Sequence, residues 1–183
     1  MMRRRRFVTR MISAPFWTSI FARGLSEKAE AKTVEQTSYK RLTHSDADVL
    51  AAWCDVIVSG ARPAGVANFI DQSLSGDPAS SLLLLRYLKA SDMADFYRKG
   101  IIGIETESHH RFGVPFLQLA QHQQKEMIEA AVASNMQVWH DPDPNFFYFI
   151  SRSDAVDVVY GTEAGFADLG IPYLAHIPPP KPW

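Results

Sequence analysis

The chain of 183 residues contains a single cysteine, Cys54. An internal disulfide is therefore impossible, as is a cysteine-built zinc or iron–sulfur site within the chain. Cys54 sits in "AAWCDVIV", an apolar helical stripe, which marks it as a buried, inert thiol. No apolar run approaches the roughly 20 residues that cross a bilayer as a helix, the longest aliphatic stretch being "LLLL" at 82–85. There is no GxGxxG or GxxxxGK[ST] to cradle a dinucleotide or nucleotide, no CxxCH for haem and no GxSxG elbow. Alternating runs bounded by turn residues are missing too, so strands are not expected, and no internal repeat is present.

Acidic residues are absent from the first 26 positions, which hold six arginines. The remainder carries 13 Lys and Arg against all 20 Asp and Glu. So acidic a body excludes nucleic acid as a main partner, because phosphates need a basic face, and argues against an anionic membrane surface. A composition of 46% hydrophobic and 21% charged residues is otherwise that of a globular domain.

The opening "RRRRFVTRMISAPFWTSIFARG" has the layout of an export signal: a basic start, a short apolar stretch and small residues beyond it. The apolar stretch is weak, interrupted by Ser13, Pro15, Thr18 and Ser19. Arg4-Arg5-Arg6-Phe7-Val8 matches the twin-arginine pattern R-R-x-F-[L/V], with Arg4, Arg5, Phe7 and Val8 in the key positions and Arg3 where Ser or Thr is usual. That route carries folded cargo. A basic amphipathic arm or an organellar presequence is the competing reading. Ala29-Glu30-Ala31 and Ala22 are the candidate cleavage points. The expected organisation is a signal over 1–31, a polar linker over 32–41 and one domain over 42–183.

Helical spacing then dominates. Thr43 or Ser45 caps a helix whose face is Val49, Trp53, Val56 and Ile57, ending before Gly60. Val66, Phe69, Ile70 and Leu74 share a second face, ended by Gly76. Residues 77–113 predict two helices, one with Leu82, Leu85 and Leu88, the next with Met93, Phe96, Tyr97, Ile101 and Ile104, loosened by Gly100 and Gly103. Another helix over "VPFLQLAQHQQKEMIEAAVAS" places Phe116, Leu119, Ala120, Met127, Ile128 and Ala131 inside. "WHDPDPN" is a turn, and "PNFFYFISRSDAVDVVYG" the last helix. Its inner stripe is either Phe147, Ile150, Asp154 and Val158 or Phe146, Phe149, Ile150 and Val156. After Gly165 the five prolines of "FADLGIPYLAHIPPPKPW" predict an extended arm. The fold expected is all-α: an irregular bundle of about five to six helices with a long Pro-rich C-terminal arm.

Chemistry-bearing residues are few. His109, His110 and His122 are close in sequence, but adjacent helical residues point about 100° apart, and no ExxH spacing accompanies them. Helix-end histidines meeting the negative end of the dipole explain them; a metal-binding or enzymatic role is the alternative. His140, Asp141 and Asp143 read as turn residues, lacking the glycine and distal glutamate of a calcium loop. Glu105 and Glu107 read as a solvated face. Phe146, Phe147, Tyr148 and Phe149 span more than one helical face, so part of that cluster is a candidate partner surface. So is the arm, where Phe166, Tyr173, His176 and Trp183 accompany Leu169, Ile171, Leu174 and Ile177. It lies on this chain's own bundle or on a second subunit.

From Leu42 onward, "GARPAGVANFIDQSL", "FYRKGIIGIE", "FGVPFLQLAQHQQKEMI", "NFFYFISRSDAVDVVYG" and "AGFADLGIPYLAHIPPPKPW" occur in an order that resembles the gluconate 2-dehydrogenase subunit 3 family. The twin-arginine-like start fits such proteins. The resemblance implies a small subunit accompanying a large flavoprotein of the glucose–methanol–choline type, which binds FAD, and a multi-haem cytochrome c that passes electrons to the quinone pool. It implies that the large subunit rides out with the small one through the twin-arginine translocation machinery. The complex would lie in the periplasm at the inner membrane. Catalytic residues belong to the large subunit, so the resemblance places none here, and it implies no cofactor or metal in this chain. The implied substrate is gluconate or a related sugar or polyol.

Overall fold

Thr43 begins the first helix because its side chain and that of Asp46 cap each other's main chain: Asp46 N donates to Thr43 Oγ1 at 3.1 Å and Thr43 N to Asp46 Oδ2 at 3.2 Å. In the computed structural model, residues 38–76 and 93–173 are described, all within the unit Gln36–Trp183. The elements are α1 (His44–Ile57), α2 (Val66–Ser75), α3 (Met93–Phe112), a 3-10 turn (Phe116–Gln118), α4 (Gln121–Val132), α5 (Pro144–Tyr160) and α6 (Glu163–Asp168). Among the described residues there is no strand, and the all-α expectation holds. The predicted helix carrying Leu82, Leu85 and Leu88 lies outside the described residues.

α5 is the central helix, packed against α1, α2, α3, α4 and α6. Asp143 caps it by accepting from Phe146 N at 2.8 Å, and Pro144 occupies its first turn, where a missing N–H costs nothing. The core is an aromatic hub. Trp53 packs on Phe116, Trp139 and Phe147 with ring centroids 5.8, 5.7 and 6.1 Å away, and its indole N–H donates to Ser151 Oγ at 3.1 Å. The arrangement satisfies the polar end of a fully buried tryptophan.

Gly100 and Gly103 do not loosen α3. They are notches. A Cβ on Gly100 would lie 2.0 Å from Phe147 Cε2, and one on Gly103 would lie 2.4 Å from Trp139 Cδ1. Glycine lets the two large rings approach the helix backbone directly, which outweighs the conformational cost of glycine within a helix.

Two further boundaries differ from the sequence reading. The helix predicted over 114–134 is divided: Phe116 is buried in the 3-10 turn, and α4 starts only at Gln121. Ala120 is exposed at the break, where its N–H donates to Gln123 Oε1 at 2.9 Å. Beyond Gly161, Thr162 caps one more short helix by accepting from Gly165 N at 3.0 Å. Phe166, Ala167 and Asp168 are therefore helical, and extended backbone begins only after Gly170. Ordered chain also reaches back into the predicted linker. The Asp71 carboxylate on α2 accepts from Lys40 N, Arg41 N and Leu42 N at 2.8–2.9 Å.

Candidate interaction surface

The segment between α4 and α5 is held to α3 by one side chain. Glu107, fully buried, accepts from the main-chain N–H groups of Gln137, Val138 and Trp139 at 2.9–3.1 Å and from Arg111 Nε at 2.6 Å. Arg111 also donates to the Asn135 carbonyl. Burial pushes the Glu107 carboxyl up, but these donors together overcome it and hold it below the usual glutamate range. The reading of Glu107 as part of a solvated face is thus corrected: its anion is the organising charge of a chain reversal. Glu105, half-buried, accepts from Phe116 N at 3.3 Å.

Fixing 137–139 this way turns Trp139 inward and Val138 outward. Val138 and Ile102, the latter 57% exposed, flank a groove of about 330 Å³ whose lining includes Gly103 and Trp139. Lys99, Thr106, His140 and Asp141 complete the lining, and Lys99 bridges Asp141 at 2.8 Å and Asp95 at 3.3 Å. The buried Trp139 indole N–H has no hydrogen-bond partner. An apolar strip with polar residues around it has the anatomy of a protein contact. Further along, Leu169 and Ile171 are each about half exposed after α6.

The aromatic run of α5 divides between core and outer faces. Phe147 is fully buried against Gly100, Trp53 and Trp139, so its ring belongs to the hub and not to an outer surface. Phe146 is half-buried, 5.6 Å from Phe96 and stacked on Phe149 at 6.5 Å. Phe166 is half-buried edge-on to Tyr173 at 5.2 Å. His176, Trp183 and the signal residues Arg4, Arg5, Phe7 and Val8 lie outside the described residues.

Of the two stripes considered for α5, the one containing Asp154 faces inward, with Phe147, Ile150 and Asp154 buried and Val158 half-buried. Asp154 accepts a hydrogen bond from the buried Tyr97 hydroxyl. Burial, opposed by the Tyr97 bond and reinforced by the nearby Asp157 charge, raises its carboxyl to about 7. Burial likewise pushes the Cys54 thiol well up, with Asp154 and Asp55 adding to the effect, so the thiol stays protonated as its apolar setting predicted. Tyr97, Asp154 and Asp71 were not singled out as a polar interior by sequence; the only signal was an aspartate within an otherwise apolar stripe.

The sequence model of the family Gluconate 2-dehydrogenase subunit 3 matches residues 44–177, more than half of the chain. The chain belongs to that family. No curated protein and no solved structure gives a significant match. The resemblance seen in the sequence is thus shown by the family match over residues 44–177. As a subunit 3 protein, the chain holds an accessory position in a complex with other subunits, as the family's description implies. In this subunit, His109 and His110 are exposed in the last turn of α3 and His122 is exposed in the first turn of α4. Among the described residues no group of three His, Cys, Asp or Glu is placed to hold a metal ion, and no helix is long and apolar enough to cross a membrane.

Proposed function

We propose that this chain is the non-catalytic small subunit of a periplasmic, inner-membrane-associated, FAD-dependent dehydrogenase acting on gluconate or a related sugar or polyol. It escorts the folded flavoprotein subunit through the twin-arginine route and stabilises it afterwards. The observation that carries this reading is the family match over 44–177, joined to an arginine-rich start that matches the twin-arginine pattern. The FAD belongs to the large subunit and the haem c to a cytochrome subunit. The exposed Ile102 and Val138 and the apolar residues after α6 are the surfaces offered to those partners.

The test is deletion of this chain from the cell, followed by fractionation. The flavoprotein is expected to remain in the cytoplasm, and dye-linked dehydrogenase activity to disappear from the envelope. Export and full activity of the flavoprotein without this chain would sink the reading. Replacing both Arg4 and Arg5 by Lys is expected to block export of both chains together. A tagged full chain taken from the envelope is expected to bring a flavin absorbance spectrum with it.

A further inference from the structure

Between α1 and α4 lies a cavity of about 290 Å³ lined by Asp55, Ser59, Arg62, Leu117, Gln121 and Lys125. Small-molecule sites begin at about this size. Its charges stand out in so acidic a body. Lys125 makes no ion pair among the described residues, although Glu129 lies four residues on along α4, the spacing at which such pairs form. It lines the cavity instead. Arg62 meets only Asp48, through one guanidinium nitrogen at 3.5 Å, with both side chains more than half exposed. Such a bridge is weak and leaves most of the guanidinium donors unused. The one acid of the lining is already engaged: Asp55 Oδ1 accepts from Gly60 N and Arg62 N, both at 3.0 Å, closing the turn after α1. Neither cation lies within ion-pair distance of it.

We propose that this cavity is a carboxylate-binding site, in which Arg62 and Lys125 hold the anion. Ser59, Gln121 and the second Asp55 oxygen meet hydroxyl or amide groups beside it. A guanidinium offers a carboxylate paired N–H donors, and an ammonium adds a point charge. With Asp55 included, the lining carries one net positive charge, which suits a monocarboxylate better than a doubly charged phosphate. Leu117, 42% exposed, gives the carbon skeleton an apolar wall. The carboxylate comes either as a small free organic acid or as an acidic side chain of a partner chain. The site itself does not depend on which partner the subunit escorts.

The test is an amide NMR titration of the full chain with sodium acetate, against sodium chloride at equal ionic strength, for the wild type and for Arg62→Gln combined with Lys125→Gln. Both side chains are exposed, so the double variant is expected to keep the fold. In the wild type the amide signals of Ser59, Arg62 and Gln121 are expected to shift with acetate and saturate. The variant is expected to bind at least about 10-fold more weakly. No saturable shift in the wild type, or equal binding by the two chains, overturns the site. Should the double variant misfold, Lys125→Gln alone carries the comparison. The source of the anion is read on the tagged full chain taken from the envelope, and this arm alone rests on the proposed flavoprotein partner. Release of the flavoprotein by acetate but not by chloride assigns the site to an acidic side chain of that partner; retention assigns it to a free acid. A wild-type chain that brings no flavoprotein with it would count against the escort reading and leave the titration standing.

Discussion

Glu107 and Tyr97 lie about three turns apart on α3, and each closes a buried carboxylate site of opposite character. Near the helix's carboxy end, Glu107 collects three main-chain N–H groups and a guanidinium, and its carboxyl is held low. Near its amino end, Tyr97 is the single donor to Asp154, whose carboxyl is driven up. Both acids are buried. Burial therefore does not fix the charge of an interior acid; the count of donors does. One end of α3 is organised around an anion and the other around a proton.

The sharpest way to break this contrast is Glu107→Ala. It leaves three turn N–H groups and Arg111 without their acceptor, and is expected to cost about 3–5 kcal/mol in urea unfolding. A loss under about 1 kcal/mol would mean that water replaces the carboxylate and that the anion organises nothing. Gly103→Ala, between the two sites, drives a methyl into the Trp139 indole and is expected to cost about 1–3 kcal/mol in thermal melts. An unchanged melting temperature would show that the notch is not tight.

The two acids also predict opposite limbs of a stability–pH curve. The Glu107 carboxyl is lowered on folding, so its contribution is complete above the unfolded glutamate value, ~4.3, and disappears as pH falls through the folded value beneath it. Glu107→Gln is expected to flatten the acid limb while leaving the loss near neutral pH that Asp154 causes; unfolding midpoints across pH 2–8 would display this. The smallest effect is that of Tyr97→Phe, about 1 kcal/mol. Because the lost bond favours the ionised acid, Asp154 is expected to titrate higher in this variant, as carboxyl NMR would record. A downward shift would contradict the assigned role of the hydroxyl.

Much of the fold was legible because helix spacing and caps are local signals. Thr43, Gly76, Gly113 and Gly161 mark ends that the structure keeps. The interior polar sites were not legible, because each depends on distant main chain. Glu107 meets residues 30 to 32 positions away, and nothing beside it in sequence distinguishes it from Glu105. Gly100 and Gly103 looked like helix weakeners because the rings that fill them come from residues 147 and 139. The two stripes of α5 stayed undecided for a related reason: the inward one contains an acid, which counts against burial until Tyr97 is seen opposite it. Phe147 could not be told from Phe146 by hydrophobicity, since the two differ only in which way the helix turns them. The short helix after Gly161 was missed because a six-residue element is too brief to show a period.

The Asp71 carboxylate holds the main chain of three successive residues, Lys40 to Leu42, just before the cap at Thr43. Mechanically this is the strain relief on an electrical cord. Tension applied to the chain from the amino side of residue 38 is delivered first to α2, through Asp71, and not to the opening turn of α1. In a single-molecule pull from the amino end, the Asp71 hold would have to give way before the capping box does.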